Sequence, residues 1–298
     1  MKTITVAHIS DLHLPFEPAL SPRQRLSKRQ LSAWSWRRRR AVHRGDILDR
    51  LTADLRALQP DHFVVTGDLV NFSLPGEFAA AAKWLHELAP ADRVSVVPGN
   101  HDALVPLDAR EGVGQWAPWT HAGHGWPYIH HRGCVAFIGL DSARPTAPLL
   151  ARGTLGAQQL ARLEEALVQE RRAGRIRVVL LHHPVADGAV GWRKALSDRR
   201  QFRAVLRRAG AELVLHGHAR SPRLDAIAPP ESVRGMIPCM CVASSTAAPN
   251  ARDEAARWHR LAFREGPGGP RAEVAVRRWS EPDHAFVEAG RYELCLPS

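Results

Sequence analysis

Six short apolar runs, at residues 4–9, 63–66, 94–97, 135–140, 176–181 and 213–215, each stop at a cluster of polar residues. Runs this short, rich in Val, Ile, Leu and Phe, predict buried strands. Helical spacing fills the gaps. Phe78, Ala82 and Leu85 share a face in 77–88, Leu160, Leu163 and Leu167 in 158–172, and Phe202, Val205 and Leu206 in 197–208. Strands alternating with helices predict an α/β architecture. After Met236 the pattern changes. Runs at 236–244, 258–263 and 273–277 read as strands joined by turns, the clearest being Gly266-Pro267-Gly268-Gly269-Pro270. They are expected to add to a sheet of the same domain. The chain thus reads as one domain over 1–298, with a β-rich portion from about 236 and a basic helical insertion at about 20–50.

Composition excludes several classes. With 298 residues, 45% hydrophobic and 24% charged, the chain has enough apolar side chain for a core and is not a disordered protein. Its longest uncharged stretch, 235–250, is broken by Pro238 and carries Ser244, Ser245 and Thr246, which predicts no membrane span. No apolar signal segment opens the sequence, so a cytoplasmic protein is expected. Cys134, Cys239, Cys241 and Cys295 are too few for a disulfide scaffold and read as inert thiols.

The 41 Lys and Arg exceed the 30 Asp and Glu, giving +11, and much of the excess lies in 22–50. There Arg23, Arg25, Lys28, Arg29, Arg37, Arg38, Arg39, Arg40 and Arg44 accompany Trp34 and Trp36. As one helix the segment would set Leu26, Leu31, Trp34 and Ala41 on one side, covering the domain. The other reading is a basic surface meeting a phosphorylated substrate, nucleic acid or an anionic membrane, the last placing the protein peripherally at the inner membrane surface.

The polar clusters carry the chemistry. The strand ends read Ser10-Asp11-Leu12-His13, Gly67-Asp68, Pro98-Gly99-Asn100-His101-Asp102, His182-His183-Pro184 and His216-Gly217-His218. In α/β sheets, functional groups gather at the carboxyl ends of strands. A mixture of carboxylate, amide and imidazole donors suits borderline divalent ions such as Mn²⁺, Fe²⁺ or Zn²⁺. One such end means little, whereas five in this order form a specific combination.

In that combination the chain resembles the calcineurin-like metallophosphoesterase family, whose pattern is D-x-H, G-D, G-N-H-D/E, a later H, and G-H-x-H. The resemblance implies a four-layer α/β/β/α sandwich of two mixed sheets flanked by helices, with the strands after Met236 completing the second sheet. It implies two divalent metal ions. Asp11, His13 and Asp68 would hold the first, and Asp68, bridging, would hold the second with Asn100, His182 and His218. His101 resembles the residue that protonates the leaving group or stabilises the phosphorane, and Asp102 would orient its ring. His182 is preferred over its neighbour His183.

Arg220 departs from the pattern, since G-H-x-H here reads Gly217-His218-Ala219-Arg220. A permanently protonated guanidinium cannot ligate a metal. Either the first site keeps three protein ligands while Arg220 clamps phosphate, or His216 substitutes as the alternative ligand, or one metal or none binds. Asp141-Ser142 sits at another strand end, as a turn cap or a partner of the site. His121, His124, His130 and His131 occupy a loop that either lines the mouth or is incidental surface.

The function implied is hydrolysis of a phosphoester, as a phosphodiesterase, by a water activated between two cations. The substrate would be a phosphorylated small molecule, a nucleotide or a lipid. A nuclease of the same fold and a degenerate, non-catalytic phosphate-binding protein are the alternatives, the latter motivated by Arg220.

Overall fold

The structure, a computed structural model, describes residues 3–120, 125–231, 234–250, 253–266 and 268–297. In chain order the strands are β1 (Ile4–Ile9), β2 (His62–Val65), β3 (Val94–Val96), β4 (Tyr128–Arg132), β5 (Val135–Gly139) and β6 (Ile176–Leu180). Then come β7 (Leu213–His216), β8 (Arg223–Ile227), β9 (Ile237–Cys241), β10 (Arg257–Gly266), β11 (Gly269–Ser280) and β12 (Ala285–Cys295). The helices are α1 (Pro22–Arg25), α2 (Lys28–Arg39), α3 (Gly45–Leu58), α4 (Pro75–Leu88), α5 (Ala117–Thr120), α6 (Ala157–Arg172) and α7 (Arg199–Ala209).

Two mixed sheets result, ordered β12-β11-β10-β1-β2-β3 and β4-β5-β6-β7-β9-β8. Parallel pairs need a crossover, and the helices supply it: α3 between β1 and β2, α4 between β2 and β3, α6 before β6, and α7 before β7. The strand runs are continuously apolar because both faces are covered. On β2, Val64 joins Val6, Phe137, Val178, Leu215 and Phe263 between the sheets, while Phe63 and Val65 turn outward to Leu51, Leu55, Phe78 and Leu85 of α3 and α4. On β6, Val178 and Leu180 face inward, and Val179 packs with Leu163, Leu167, Phe202 and Leu206 of α6 and α7. That makes four layers, helix, sheet, sheet, helix, as expected.

Arg177 of β6 fastens this outer layer. Its guanidinium donates to Leu167 O at 3.2 Å and Ala209 O at 2.9 Å, and meets the buried Glu212 carboxylate at 2.5 Å. Among the described residues, no helix is long and apolar enough to cross a membrane.

Two expectations change. Of the strands after Met236, β9 alone enters the second sheet, beside β7 and β8; β10, β11 and β12 extend the first. The cause is that β10 returns antiparallel along β1, with His8 opposite His259, and the two strands after it follow as hairpins needing only short turns.

The basic segment is also not one helix. The Ser27 hydroxyl caps α2 by accepting from Arg29 N, and a turn at 40–44 separates α2 from α3. The buried side of α2 is Arg29, Ser32, Ala33 and Trp36, whereas Leu26 is 91% and Trp34 60% exposed. Loop carbonyls decide the orientation. Arg29 donates to Phe72 O at 3.0 Å and Ser73 O at 2.5 Å, and Ser32 Oγ donates to Asn71 O at 2.8 Å. Buried carbonyls need donors, and that need outweighs burying the flanking leucines.

Cys239 and Cys241 are unpaired, buried in β9, and burial pushes both thiols up, as expected of core thiols.

Candidate metal centre

The carboxyl ends of β1, β2, β3, β6 and β7 meet at one edge of the sandwich, and several side chains there stand on strained backbone. Asp11, His13, Asp68 and His218 all have positive φ, at 50°, 43°, 55° and 68°. Left-handed backbone at non-glycine residues costs roughly 1–3 kcal/mol each and persists only where surroundings enforce it. Here the loops brace one another: Asp11 N donates to Gly67 O at 2.9 Å, His13 N to Asp68 O at 2.9 Å, and Leu14 N to Leu69 O at 2.8 Å. The motif glycines are explained by the same crowding. A Cβ on Gly217 would lie 1.9 Å from Ser10 Oγ, and one on Gly99 would lie 2.3 Å from Asp68 Oδ1.

Around Asp68 the donors converge. His182 Nε2 lies 3.4 Å from Asp68 Oδ2, 3.3 Å from Asn100 Oδ1 and 3.1 Å from His218 Nδ1. His182 Nδ1 donates to Thr66 O at 2.7 Å, which leaves Nε2 as the nitrogen that would face a metal in exchange for its proton. Burial alone would lower the His182 pKa, but Asp68 and Asp11 raise it to about 9. The same negative field would hold a cation. His218 Nε2 is buried without a hydrogen-bond partner.

A second grouping, His13, Asp68 and His101, shares Asp68. His13 Nε2 is 3.9 Å from Asp68 Oδ2, and the His13 and His101 rings meet edge-on with centroids 4.8 Å apart. Asp11 walls the same cavity, with Oδ2 accepting from Ser10 Oγ at 2.7 Å and His218 N at 3.0 Å. Burial, with Asp68 nearby, raises its pKa to about 6. Oxygen and imidazole donors on both sides of one shared carboxylate fit a pair of divalent ions.

The cavity measures about 120 Å³. His43, Lys194, Arg220, Ser244, Asp253 and Glu254 complete its wall.

Several expectations are corrected. Asp102 does not touch the His101 ring. Its carboxylate accepts from Gly99 N at 2.7 Å, Asp68 N at 2.8 Å and Val70 N at 3.0 Å, so it ties the two ligand loops together. Burial and the Asp68 charge raise its pKa to about 8. The His101 ring is oriented instead by Asn71, whose carbonyl accepts from Nδ1 at 2.9 Å.

His216 is buried in β7 with Nδ1 3.2 Å from Gly217 O and belongs to neither donor grouping around Asp68, so it does not replace the lost ligand. Arg220 lines the rim with its side chain 42% exposed, Nε 3.5 Å from Asp253 Oδ1. It is held beside an acid at the mouth and not over the shared carboxylate.

His183 holds Nδ1 2.7 Å from Ser142 Oγ and packs its ring 4.8 Å from that of His218, while His182 is the one of the pair grouped with Asp68 and His218. Asp141 closes a turn, accepting from Ala143 N at 2.9 Å. His130 is buried on β4 against Ser95 Oγ, and His131 meets Glu170, so neither lines the mouth. His121 and His124 lie outside the described residues.

His43 was not singled out from the sequence. It lies in no strand-end cluster, and its neighbours in sequence are the arginines of the basic segment. The hydroxyls behind the site were also missed: Ser244 Oγ donates to Asp11 O at 2.7 Å and Thr246 Oγ1 to Leu12 O at 2.8 Å, from the end of a run that reads as a strand but carries no Asp, Asn or His to mark it.

Comparison with known proteins agrees with this picture. A dimetal phosphatase from Danio rerio superposes with a TM-score of 0.62 at 13% identity, over 97% of this chain and 98% of that one. The purple acid phosphatase PPD1 of yellow lupin (Lupinus luteus) gives 0.57 at 12%, over 98% of this chain and 53% of the lupin chain. GAP50, the anchor in the inner membrane complex of Plasmodium, gives 0.52 at 10%, over 99% and 89%. At these identities the likeness is one of fold. No curated protein sequence matches the chain. The family model for calcineurin-like phosphoesterases matches residues 4–220, the stretch that carries every convergent donor described above, and the chain belongs to that family.

Proposed function

We propose that the protein hydrolyses phosphodiesters using two divalent cations seated on either side of Asp68. The single observation that supports this most is the place of that carboxylate between two sets of donors, Asp11 and His13 on one side, Asn100, His182 and His218 on the other. Cations bound there would polarise the phosphoryl oxygens and make a water nucleophilic near neutral pH.

The chain's own groups do the rest. Asp68 turns Oδ2 toward both His13 and His182, while its Oδ1 accepts from His101 N at 2.7 Å, which fixes its rotation. Asn100 contributes a neutral oxygen, leaving positive charge for the phosphoryl group. With Nδ1–H engaged by Asn71 O, His101 directs Nε2 to the cavity, where it would carry the proton given to the departing alkoxide.

Charge favours a diester. The cavity of about 120 Å³ takes a phosphoryl group, with the ester substituents at the rim. That rim sets Lys194 and Arg220 against Asp253 and Glu254, with Arg220 beside Asp253. Such a balance suits a monoanionic diester better than a dianionic monoester. The test loads chelator-stripped protein with Mn²⁺ and compares kcat/KM for bis-aryl and mono-aryl phosphate. We expect a preference for the diester and no turnover in Asp68→Asn. A preference for the monoester would refute the diester assignment, and turnover indifferent to cations would remove the mechanism.

A further inference from the structure

We infer that His43, on the turn between α2 and α3, is a ligand of the cation on the His13 side of Asp68, delivered by the basic segment. This rests on the hydrolase reading above.

The backbone of His43 is pinned at the site. It bridges Ala247, while Ala248 N donates to Val42 O at 2.7 Å and Arg44 N to Thr246 O at 3.4 Å. Its ring centroid lies 4.5 Å from that of His13, in the cavity wall shared with Asp11 and Asp68. On another side it stacks near Trp36, with centroids 6.2 Å apart and planes inclined by 12°.

The hydrogen bonds fix which nitrogen carries the proton. Thr246 Oγ1, 3.2 Å from His43 Nδ1, spends its own hydrogen on Leu12 O; Ser244 Oγ, 3.5 Å from Nδ1, spends its hydrogen on Asp11 O. Both hydroxyl oxygens therefore accept, so Nδ1 donates and Nε2 bears the lone pair. His101 and His182 are set in the same tautomer, by Asn71 O and Thr66 O. A ligating imidazole characteristically donates its other N–H to a fixed acceptor in this way.

Arg220 cannot supply a lone pair and is engaged with Asp253. An imidazole from the inserted segment restores a nitrogen donor to that side of the site. The hydroxyls that orient it also hold Asp11 and Leu12, so ring and carboxylate are positioned by one scaffold.

The test is Mn²⁺ binding by calorimetry to the chelator-stripped full chain. Wild type should take up two equivalents. His43→Ala should keep one site unchanged and weaken the other at least ~10-fold. Thr246→Val, which frees the ring, should weaken the same site by a smaller factor. Added imidazole should restore the lost site in His43→Gly, which a merely structural role for His43 would not allow. In wild type, Zn²⁺ should shift the ¹⁵N resonance of His43 Nε2, a readout independent of any variant's folding. Two undiminished sites in His43→Ala, or an unshifted His43 nitrogen in zinc-loaded wild type, would overturn this inference and leave the hydrolase reading standing. A wild type that binds no cation would overturn both.

Discussion

Replacing Asp102 by alanine tests whether the site is held together by a carboxylate that touches no cation. In the structure this side chain accepts from the N–H groups of Gly99, Asp68 and Val70, spanning both loops that present ligands. Above about pH 8, where this carboxyl is ionised, a hydrogen bond to it contributes about 1.5–3 kcal/mol, and a buried donor left without a partner costs about 1–3 kcal/mol. Three such bonds would sum to about 4–9 kcal/mol if nothing replaced them. Water entering the vacated polar space recovers part, which brings the expected loss for Asp102→Ala to about 3–5 kcal/mol. Asp102→Asn keeps two acceptor contacts and turns an NH₂ against the third donor, for about 2–3 kcal/mol.

Urea unfolding of the cation-free protein reads both losses as a lower midpoint at unchanged slope. Asp68 sits at φ 55°, held partly by the bond from its own N–H to Asp102. Asp102→Ala, which removes that bond, should accordingly weaken Mn²⁺ binding as well as lower stability. The pH dependence of turnover should stay put, since Asn71 and not Asp102 orients the His101 ring. An Asp102→Ala protein within about 1 kcal/mol of wild type would show that the carboxylate does not brace the loops.

Other perturbations probe the scaffold. Gly217→Ala puts a methyl 1.9 Å from Ser10 Oγ and 2.6 Å from Asp11 Oδ2, and should abolish turnover and weaken cation uptake measured by calorimetry. Glu212→Gln strands the buried Arg177 charge and should cost about 3–5 kcal/mol in urea unfolding. By contrast, Arg264→Ala, breaking exposed pairs with Glu273 and Glu293, should cost no more than about 1 kcal/mol.

His259→Phe should flatten the acid limb of the stability curve. Burial, then the Arg257 charge, lowers the His259 pKa to about 3, so the folded chain keeps the ring neutral while the unfolded chain protonates it below about 6.5. Stability present above that pH is lost as pH falls toward 3, by about 2 kcal/mol between pH 7 and pH 5 from this ring alone. An unchanged acid limb in the variant would refute the assignment.

How much of this was written locally in the chain differs by element. The donors of Asp68, Asn100, His182 and His218 were legible because each stands directly after an apolar run, and parallel strands bring such ends to one edge. The glycines were legible as motif letters, but their reason, close approach of Gly99 to Asp68 and Gly217 to Ser10, is a contact between distant segments. The role of Asp102 was misjudged because adjacency to His101 suggested a contact that the turn does not make. Besides Gly99, its partners Asp68 and Val70 lie more than thirty residues away.

The basic segment shows most plainly what periodicity leaves undecided. Leu26, Leu31 and Trp34 make a plausible buried stripe, and the hydrophobic effect alone would turn it inward. What the domain offers α2, however, is a row of loop carbonyls at Asn71, Phe72 and Ser73, and an unmatched buried carbonyl costs as much as a half-exposed leucine gains. Arg29 and Ser32 answer them and rotate the helix. That rotation seats Trp36 beside Phe72 and against the ring of His43. The residues that misled the pattern are thus the ones that set the segment's chemistry. Arg29 and Ser32 are buried because they satisfy the loop following Asp68, and the orientation they impose carries an imidazole to the edge of the site.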